Sequence, residues 1–136
     1  MNLTTSLRRL AAATSIVAVF GTVTILPAAA SHGGDSHEVE RRGSCSGSTD
    51  WKLKAKADDG RIEVEAEIDS SVSGQVWAWR ILHNGGISAR GRATTKPPSG
   101  SFEVERLLVN APGTDRLGIR ATNTKTHETC AGNLRF

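Results

Sequence analysis

The feature that most constrains the fold of this chain is a pair of alternating segments joined by Asp59-Gly60. Every second residue in 51–57 and in 62–68 is apolar. The intervening residues are Lys52, Lys54 and Lys56 before the turn and Glu63, Glu65 and Glu67 after it. Asp-Gly favours a two-residue type I′ turn, because both central residues need positive φ. The pattern therefore predicts a β-hairpin that pairs lysine with glutamate on one face, and a slip of one residue would disrupt both faces.

The rest of the chain continues in short alternating segments separated by turn signals. After Ala30, no stretch of ten or more residues shows a 3.6-residue apolar period. Seven strands are predicted, with the ordered structure beginning near Cys45, and this spacing is typical of an all-β antiparallel sandwich. The strand near Gln75–His83 is apolar on much of both faces and is predicted to be central. Trp77 and Trp79 on it are interpreted as core residues, with an exposed sugar-binding platform as the alternative.

Residues 1–30 have the pattern of a secretory signal peptide. Arg8 and Arg9 precede an uncharged apolar run over 10–26, and small residues follow at Ala28 and Ala30. We expect cleavage between Ala30 and Ser31, which leaves a secreted chain without a membrane anchor. Residues 31–44 are predicted to form a flexible tail, and residues 45–136 the folded domain.

The apparent basicity of the chain depends partly on this leader. The full sequence has 17 Lys and Arg against 14 Asp and Glu, a net charge of +3. Without Arg8 and Arg9, the count for residues 31–136 is 15 against 14, a net charge of +1. Nucleic-acid binding usually needs a concentrated basic face, so this balance argues against a nucleic-acid partner.

Cys45 and Cys130 are the two cysteines of the chain. Disulfides persist in exported proteins, and no C-x-x-C motif suggests redox or zinc chemistry, so a structural bridge is predicted. In the chain-entropy model, closing a loop of this length stabilises the fold by roughly 4–5 kcal/mol.

Seven short strands, a tryptophan-bearing central strand and paired cysteines resemble the immunoglobulin-like or fibronectin type III-like sandwich. The positions of the cysteines differ from those of true immunoglobulin domains, and the chain has no tyrosine for a tyrosine corner. The Ala-rich leader followed by CSGSTDWKLKAKADDGRIEVEAEID is similar to small secreted proteins of actinobacteria. This resemblance implies export and a compact domain and implies no activity.

Catalytic and metal-binding patterns are weak. His83 and His127 lie at turns, no serine has a nucleophile-elbow context, and the hairpin glutamates already face lysines. We therefore expect no enzymatic activity and no cofactor. Copper or zinc binding by the N-terminal tail is an alternative, and its candidate ligands are His32, Asp35 and His37.

The favoured hypothesis is a secreted, monomeric, non-catalytic domain that binds a macromolecule of the cell envelope or medium through loops 84–87 and 95–101. Arg80, Arg90 and Arg92 are interpreted either as a solvated face or as a small basic patch for a polyanion. Pro97 and Pro98 suggest a second alternative, an inhibitor of secreted hydrolases that uses this loop as a rigid insert.

Overall fold

The computed structural model describes residues 37–136, which form two antiparallel four-stranded sheets. The strands are β1 (Glu38–Ser44), β2 (Asp50–Asp58), β3 (Arg61–Asp69), β4 (Val76–His83), β5 (Gly86–Thr94), β6 (Ser101–Val109), β7 (Arg116–Asn123) and β8 (Thr129–Arg135). Sheet A has the order β1-β2-β3-β6, and sheet B has the order β5-β4-β7-β8. Residues 37–136 include no helix with the length and apolar character needed to cross a membrane.

The predicted hairpin is confirmed in its turn and its register. Asp59 and Gly60 both have positive φ, at 44° and 75°. Each lysine of β2 lies opposite a glutamate of β3, in the pairs Lys52 and Glu67, Lys54 and Glu65, and Lys56 and Glu63. The apolar residues of β2 between Trp51 and Ala57 lie opposite apolar residues of β3. The alternation of lysine, glutamate and apolar side chains therefore determines this half of sheet A.

The predicted strand count of seven is wrong, because β1 adds an eighth strand. We predicted that order begins near Cys45, but Glu38–Ser44 pairs with β2 along its whole length. This edge strand has only one inward apolar residue, Val39; Arg41 and Gly43 follow it on the same face. Gly43 has a specific role, since a Cβ there would collide with the Trp51 ring. A strand built in this way carries no alternating apolar signal.

The predicted disulfide is confirmed. Cys45 and Cys130 are bonded and close a sequence separation of 85 residues. Cys45 follows β1 of sheet A, and Cys130 lies in β8 of sheet B, so the bridge joins the two sheets.

The core lies between the inward faces of the two sheets. Trp77 is 0% exposed and Trp79 is 6% exposed, which excludes an exposed tryptophan platform on this strand. The Trp79 ring covers Gly91 of β5, where a Cβ would lie 2.8 Å from the ring, and the guanidinium of Arg106 stands 5.1 Å from the ring centroid. Arg106 is an inward-pointing charge on an edge strand, a feature that discourages edge-to-edge aggregation.

Candidate functional site: an arginine face on sheet B

The charged residues divide unequally between the two sheets. The strands of sheet A contain ten carboxylates and seven lysines or arginines. The strands of sheet B contain six arginines and no lysine, aspartate or glutamate. The strand pairing places all six on the outward side, and we call this surface the arginine face: Arg80, Arg90, Arg92, Arg116, Arg120 and Arg135.

Three of these arginines form a row across adjacent strands. Arg80 of β4 lies directly opposite Arg90 of β5 on one side and Arg120 of β7 on the other. Arg92 lies two residues further along β5, opposite Ala78. Like charges that lie directly opposite each other destabilise a sheet, so this row is electrostatically unfavourable for folding.

An open depression lies over this row. It has a volume of about 600 Å³, and all four of these arginines line it, together with Ala78, Ile87 and Thr122. Arg80, Arg90 and Arg92 are exposed, and Arg120 is half-buried, with its Nη1 donating to the carbonyl of Ile119 at 3.1 Å. The depression therefore offers guanidinium groups around a floor of small and apolar side chains.

A second depression lies on the same sheet beside its other arginine pair. Arg116 of β7 is opposite Arg135 of β8, and with Arg41 from β1 they border a volume of about 560 Å³. Its apolar lining comes from Leu82, Leu117 and Leu134. The two depressions place arginine at both ends of sheet B.

No carboxylate neutralises this face within the described residues. The ion pairs found in residues 37–136 all lie on sheet A, apart from the contact between His83 and Asp115. Asp115 adjoins Arg116 in sequence, yet its side chain is 0% exposed. The arginine face therefore has an uncompensated positive charge.

Asp115 is held inside by hydrogen bonds from three residues. Its Oδ1 accepts from Asn84 Nδ2 at 2.8 Å and lies 2.5 Å from His83 Nε2, and its Oδ2 accepts from the Ala111 N–H at 3.2 Å. Burial opposes ionisation, but the hydrogen bonds from His83 and Asn84 hold the pKa of Asp115 below its usual value. This arrangement ties the β4–β5 turn to the β6–β7 loop. Neither His83 nor Asp115 lines either depression on sheet B.

The hairpin glutamates are engaged with lysines. Glu65 lies 2.5 Å from Lys54 Nζ and 2.9 Å from Lys52 Nζ, and Glu63 lies 2.9 Å from Lys56 Nζ. Burial opposes the ionisation of Glu65, but the two lysines lower its pKa to about 2. The hydrogen bond from Lys52 to Glu67 contributes most to raising the pKa of Lys52 above its usual value. Each pair therefore keeps both partners charged.

The other predicted site residues are dispersed. His37 packs against Phe136 with ring centroids 4.8 Å apart, while Ala30, Ser31, His32 and Asp35 lie outside the described residues. Among residues 37–136, no group of three or more His, Cys, Asp or Glu is placed to hold a metal ion. Pro97 and Pro98 are exposed in the β5–β6 loop.

The two loops expected to form a contact surface do not come together. Loop 84–87 includes the first two residues of β5, and loop 95–101 follows its last residue, so the rest of β5 separates them. At about 3.4 Å per residue, the loops lie roughly 27–30 Å apart, at opposite ends of the sandwich.

Sequence reasoning identified three of the six arginines and missed Arg116, Arg120 and Arg135. Alternation in β7 does assign Arg116 and Arg120 outward, because Leu117, Ile119 and Ala121 are buried. The information missing from the sequence is that β7 lies beside β4, which brings Arg120 next to Arg80. That neighbour relation joins strands separated by two others along the chain.

The chain matches no protein-family model, no curated protein and no solved structure in the three comparisons. Its function is therefore inferred from the residues of the site.

Proposed function

We propose that this protein is an exported, non-catalytic domain that binds an acidic polymer through the arginine face of sheet B. The observation that carries the proposal is the presence of six arginines and no carboxylate in the four strands of that sheet. Sheet A supplies the internal contrast, since its outward lysines are paired with glutamates. A surface selected only for solubility has no need to concentrate one sign of charge in this way.

The choice of arginine supports recognition of an anion. All six cations in the sheet B strands are arginine, whereas β2 of sheet A uses Lys52, Lys54 and Lys56. A guanidinium presents several donors in a fixed plane and binds carboxylate, phosphate or sulfate groups in a bidentate manner, while an ammonium acts as a point charge.

The distribution of the arginines favours a polymer over a single small anion. Arg92 pairs with Ala78 of β4, which pairs in turn with Thr122 of β7, so Arg92 and Thr122 lie at the same position along the strands. Arg116 lies six residues before Thr122 on β7. At about 3.4 Å per residue, the face extends roughly 20 Å along the strands. A linear chain bearing repeated negative charges would reach both depressions, which a single anion would not.

The face offers no stacking surface for nucleic-acid bases. The outward residues of β4 are Val76, Ala78, Arg80 and Leu82, and its two tryptophans are buried. Proteins that bind single strands on a sheet place aromatic side chains under the bases. The proposed ligand is therefore an acidic polymer without bases, such as a polyphosphodiester or an acidic polysaccharide of the cell envelope or medium.

The proposal includes export and an immunoglobulin-like architecture. The signal-peptide pattern over residues 1–30 and the Cys45–Cys130 bridge both favour an oxidising compartment. Strands β2 to β8 correspond to the seven predicted strands of a fibronectin type III-like sandwich, and β1 extends one edge. A non-catalytic role agrees with the engagement of Asp115 and Glu65 in structural contacts.

The test measures binding of the processed protein to long-chain polyphosphate, dextran sulfate and poly-glutamate, with neutral dextran as a blank. At about 50 mM salt, Arg80→Gln/Arg90→Gln should weaken binding to the preferred polymer at least tenfold. Lys96→Gln/Lys125→Gln removes the same charge from exposed loops and should change affinity less than twofold. Each arginine removed from the face should also reduce the slope of log K against log salt by about one.

Equal weakening by the two double variants would contradict a specific face and indicate only general charge attraction. An absence of binding to all three acidic polymers would overturn the proposal. Tighter binding to single-stranded DNA than to polyphosphate of equal charge would contradict the exclusion of bases.

A further inference from the structure

The two outward faces of the sandwich have opposite charge. The strands of sheet A carry ten carboxylates against seven cations, and the strands of sheet B carry six cations and no carboxylate. All ten carboxylates of sheet A lie on its outward side by register. The molecule therefore has an acidic face and a basic face on opposite sides of one core.

Part of the unpaired charge of the acidic face lies along β6, and, among the residues that the structure describes, Glu38, Asp50, Asp58 and Asp69 on the other strands also form no ion pair. The three lysines of β2 already pair with the glutamates of β3. Glu103 and Glu105 of β6 are exposed and lie opposite Glu67 and Glu65. Within residues 37–136 they form no ion pair, and burial together with the charge of Glu65 raises the pKa of Glu103.

The spacing of this acidic pair matches that of the basic pair on sheet B. Glu103 and Glu105 are two residues apart on an edge strand, as are Arg90 and Arg92 on β5. Side chains at such positions stand about 6.8 Å apart along an antiparallel strand. A carboxylate pair and a guanidinium pair of equal spacing are suited to two parallel charge-assisted contacts.

We propose that the arginine face of one molecule binds the acidic β6 side of sheet A on a second copy of this chain, through Arg90 and Arg92 against Glu103 and Glu105. The contact is heterologous, because each molecule uses a different face toward each neighbour. It therefore leaves one free face of each sign on a pair and builds longer chains or rings rather than closed dimers. This departs from the monomer expected from the sequence, and it holds whether or not the arginine face also binds an acidic polymer.

The size of the contact sets its strength. A face of four strands about 4.8 Å apart and seven to nine residues long covers roughly 500–600 Å². Stable specific interfaces bury about 800 Å² on each partner, so the association should be weak, reversible and sensitive to salt. It should appear at high protein concentration and low ionic strength.

Sedimentation velocity on the processed protein tests the proposal. In about 20 mM salt, the weight-average mass should rise with protein concentration, and in about 500 mM salt it should stay at the monomer value. Arg90→Gln/Arg92→Gln and Glu103→Gln/Glu105→Gln should each abolish the rise. Lys96→Gln/Lys125→Gln, which removes two charges from loops, should retain it.

The decisive test mixes the two double variants that should not self-associate, Arg90→Gln/Arg92→Gln and Glu103→Gln/Glu105→Gln. One variant keeps a functional acidic face and the other a functional arginine face, so an equimolar mixture should form a 1:1 complex and nothing larger. Failure of this complex to form, or a mass that stays monomeric for the unmodified protein at low salt, would overturn the proposal. Retained self-association in Glu103→Gln/Glu105→Gln would also contradict it.

The outcome is separable from that of the polymer-binding proposal. Glu103→Gln/Glu105→Gln leaves the arginine face unchanged, so it should bind polyphosphate as the unmodified protein does while failing to self-associate. Polymer binding without self-association would refute only this inference, and self-association without polymer binding would refute only the proposed function. If both hold, polyphosphate should disperse the chains, because it competes for the same arginines.

Discussion

Sheet A and sheet B each turn one polar face to solvent, but they arrange charge differently. On sheet A, each outward lysine of β2 meets a glutamate of β3, and Glu65 lies between two ammonium groups. On sheet B, Arg80 meets an arginine on either side. The first arrangement stabilises the sheet and fixes its register, whereas the second opposes folding. The comparison separates charges that serve the fold from charges available for a ligand.

Breaking the Cys45–Cys130 bridge should have the largest effect on stability, because it covalently joins the two sheets under comparison. Cys45→Ala/Cys130→Ala releases a constraint over 85 residues of sequence and should lower the free energy of unfolding by about 4–5 kcal/mol. Denaturant titration measures the change, and reduction of the unmodified protein should reproduce it. A decrease below about 1 kcal/mol would mean that packing between the sheets suffices without the bridge.

The second-largest effect concerns Asp115, a buried carboxylate that adjoins Arg116 in sequence and does not neutralise the arginine face. Asp115→Ala removes the buried acceptor of the hydrogen bonds from Asn84 and Ala111, which should cost about 2–3 kcal/mol. Thermal unfolding measures the change, and Asp59→Asn, which alters an exposed turn carboxylate at positive φ, should be near neutral. If polymer binding were unchanged in the folded Asp115→Ala protein, the residue would be confirmed as structural.

The parts of this molecule that the sequence predicts well are those encoded by neighbouring residues. The β2–β3 register follows from a local turn and two matched periods, so it could be derived in full. Strand β1 could not be predicted from the sequence, because an edge strand with Arg41 and Gly43 on its inward side lacks apolar alternation. The arginine face was only half predicted for a different reason: Arg120 joins Arg80 through the pairing of β4 with β7, which no local pattern specifies.

A third prediction concerns a substitution that removes one of the lysine–glutamate contacts on sheet A. Glu65→Gln removes the partner of Lys52 and Lys54 and should destabilise the protein by about 1–2 kcal/mol, a value reduced by solvent screening. The matched control is Glu105→Gln, which neutralises the residue opposite Glu65. That control should leave stability unchanged or slightly higher, since it relieves a repulsion. Equal destabilisation in the two variants would contradict the assigned role of the lysine contacts.

The same carboxylate predicts how stability depends on pH. The pKa of Glu65 is about 2 in the folded protein and 4.5 when unperturbed. Because the folded value is depressed, its contribution is present above about pH 4.5 and disappears as the pH falls toward 2. Unfolding free energies of the unmodified protein and Glu65→Gln should therefore converge over that interval. A constant difference between them from about pH 6 to about pH 2 would refute this account.

The smallest expected effect has the opposite sign and is the sharpest test of the comparison. Arg80 lies between Arg90 and Arg120, so Arg80→Gln removes two like-charge repulsions at an exposed position. The variant should be more stable by about 0.2–1 kcal/mol at low salt, and the gain should shrink in about 1 M salt, where screening acts within a few ångströms. Lys125→Gln, an exposed loop cation, should show neither effect. A destabilised Arg80→Gln would mean that this arginine contributes to the fold, and the contrast between the two sheets would then no longer identify the arginine face as a binding surface.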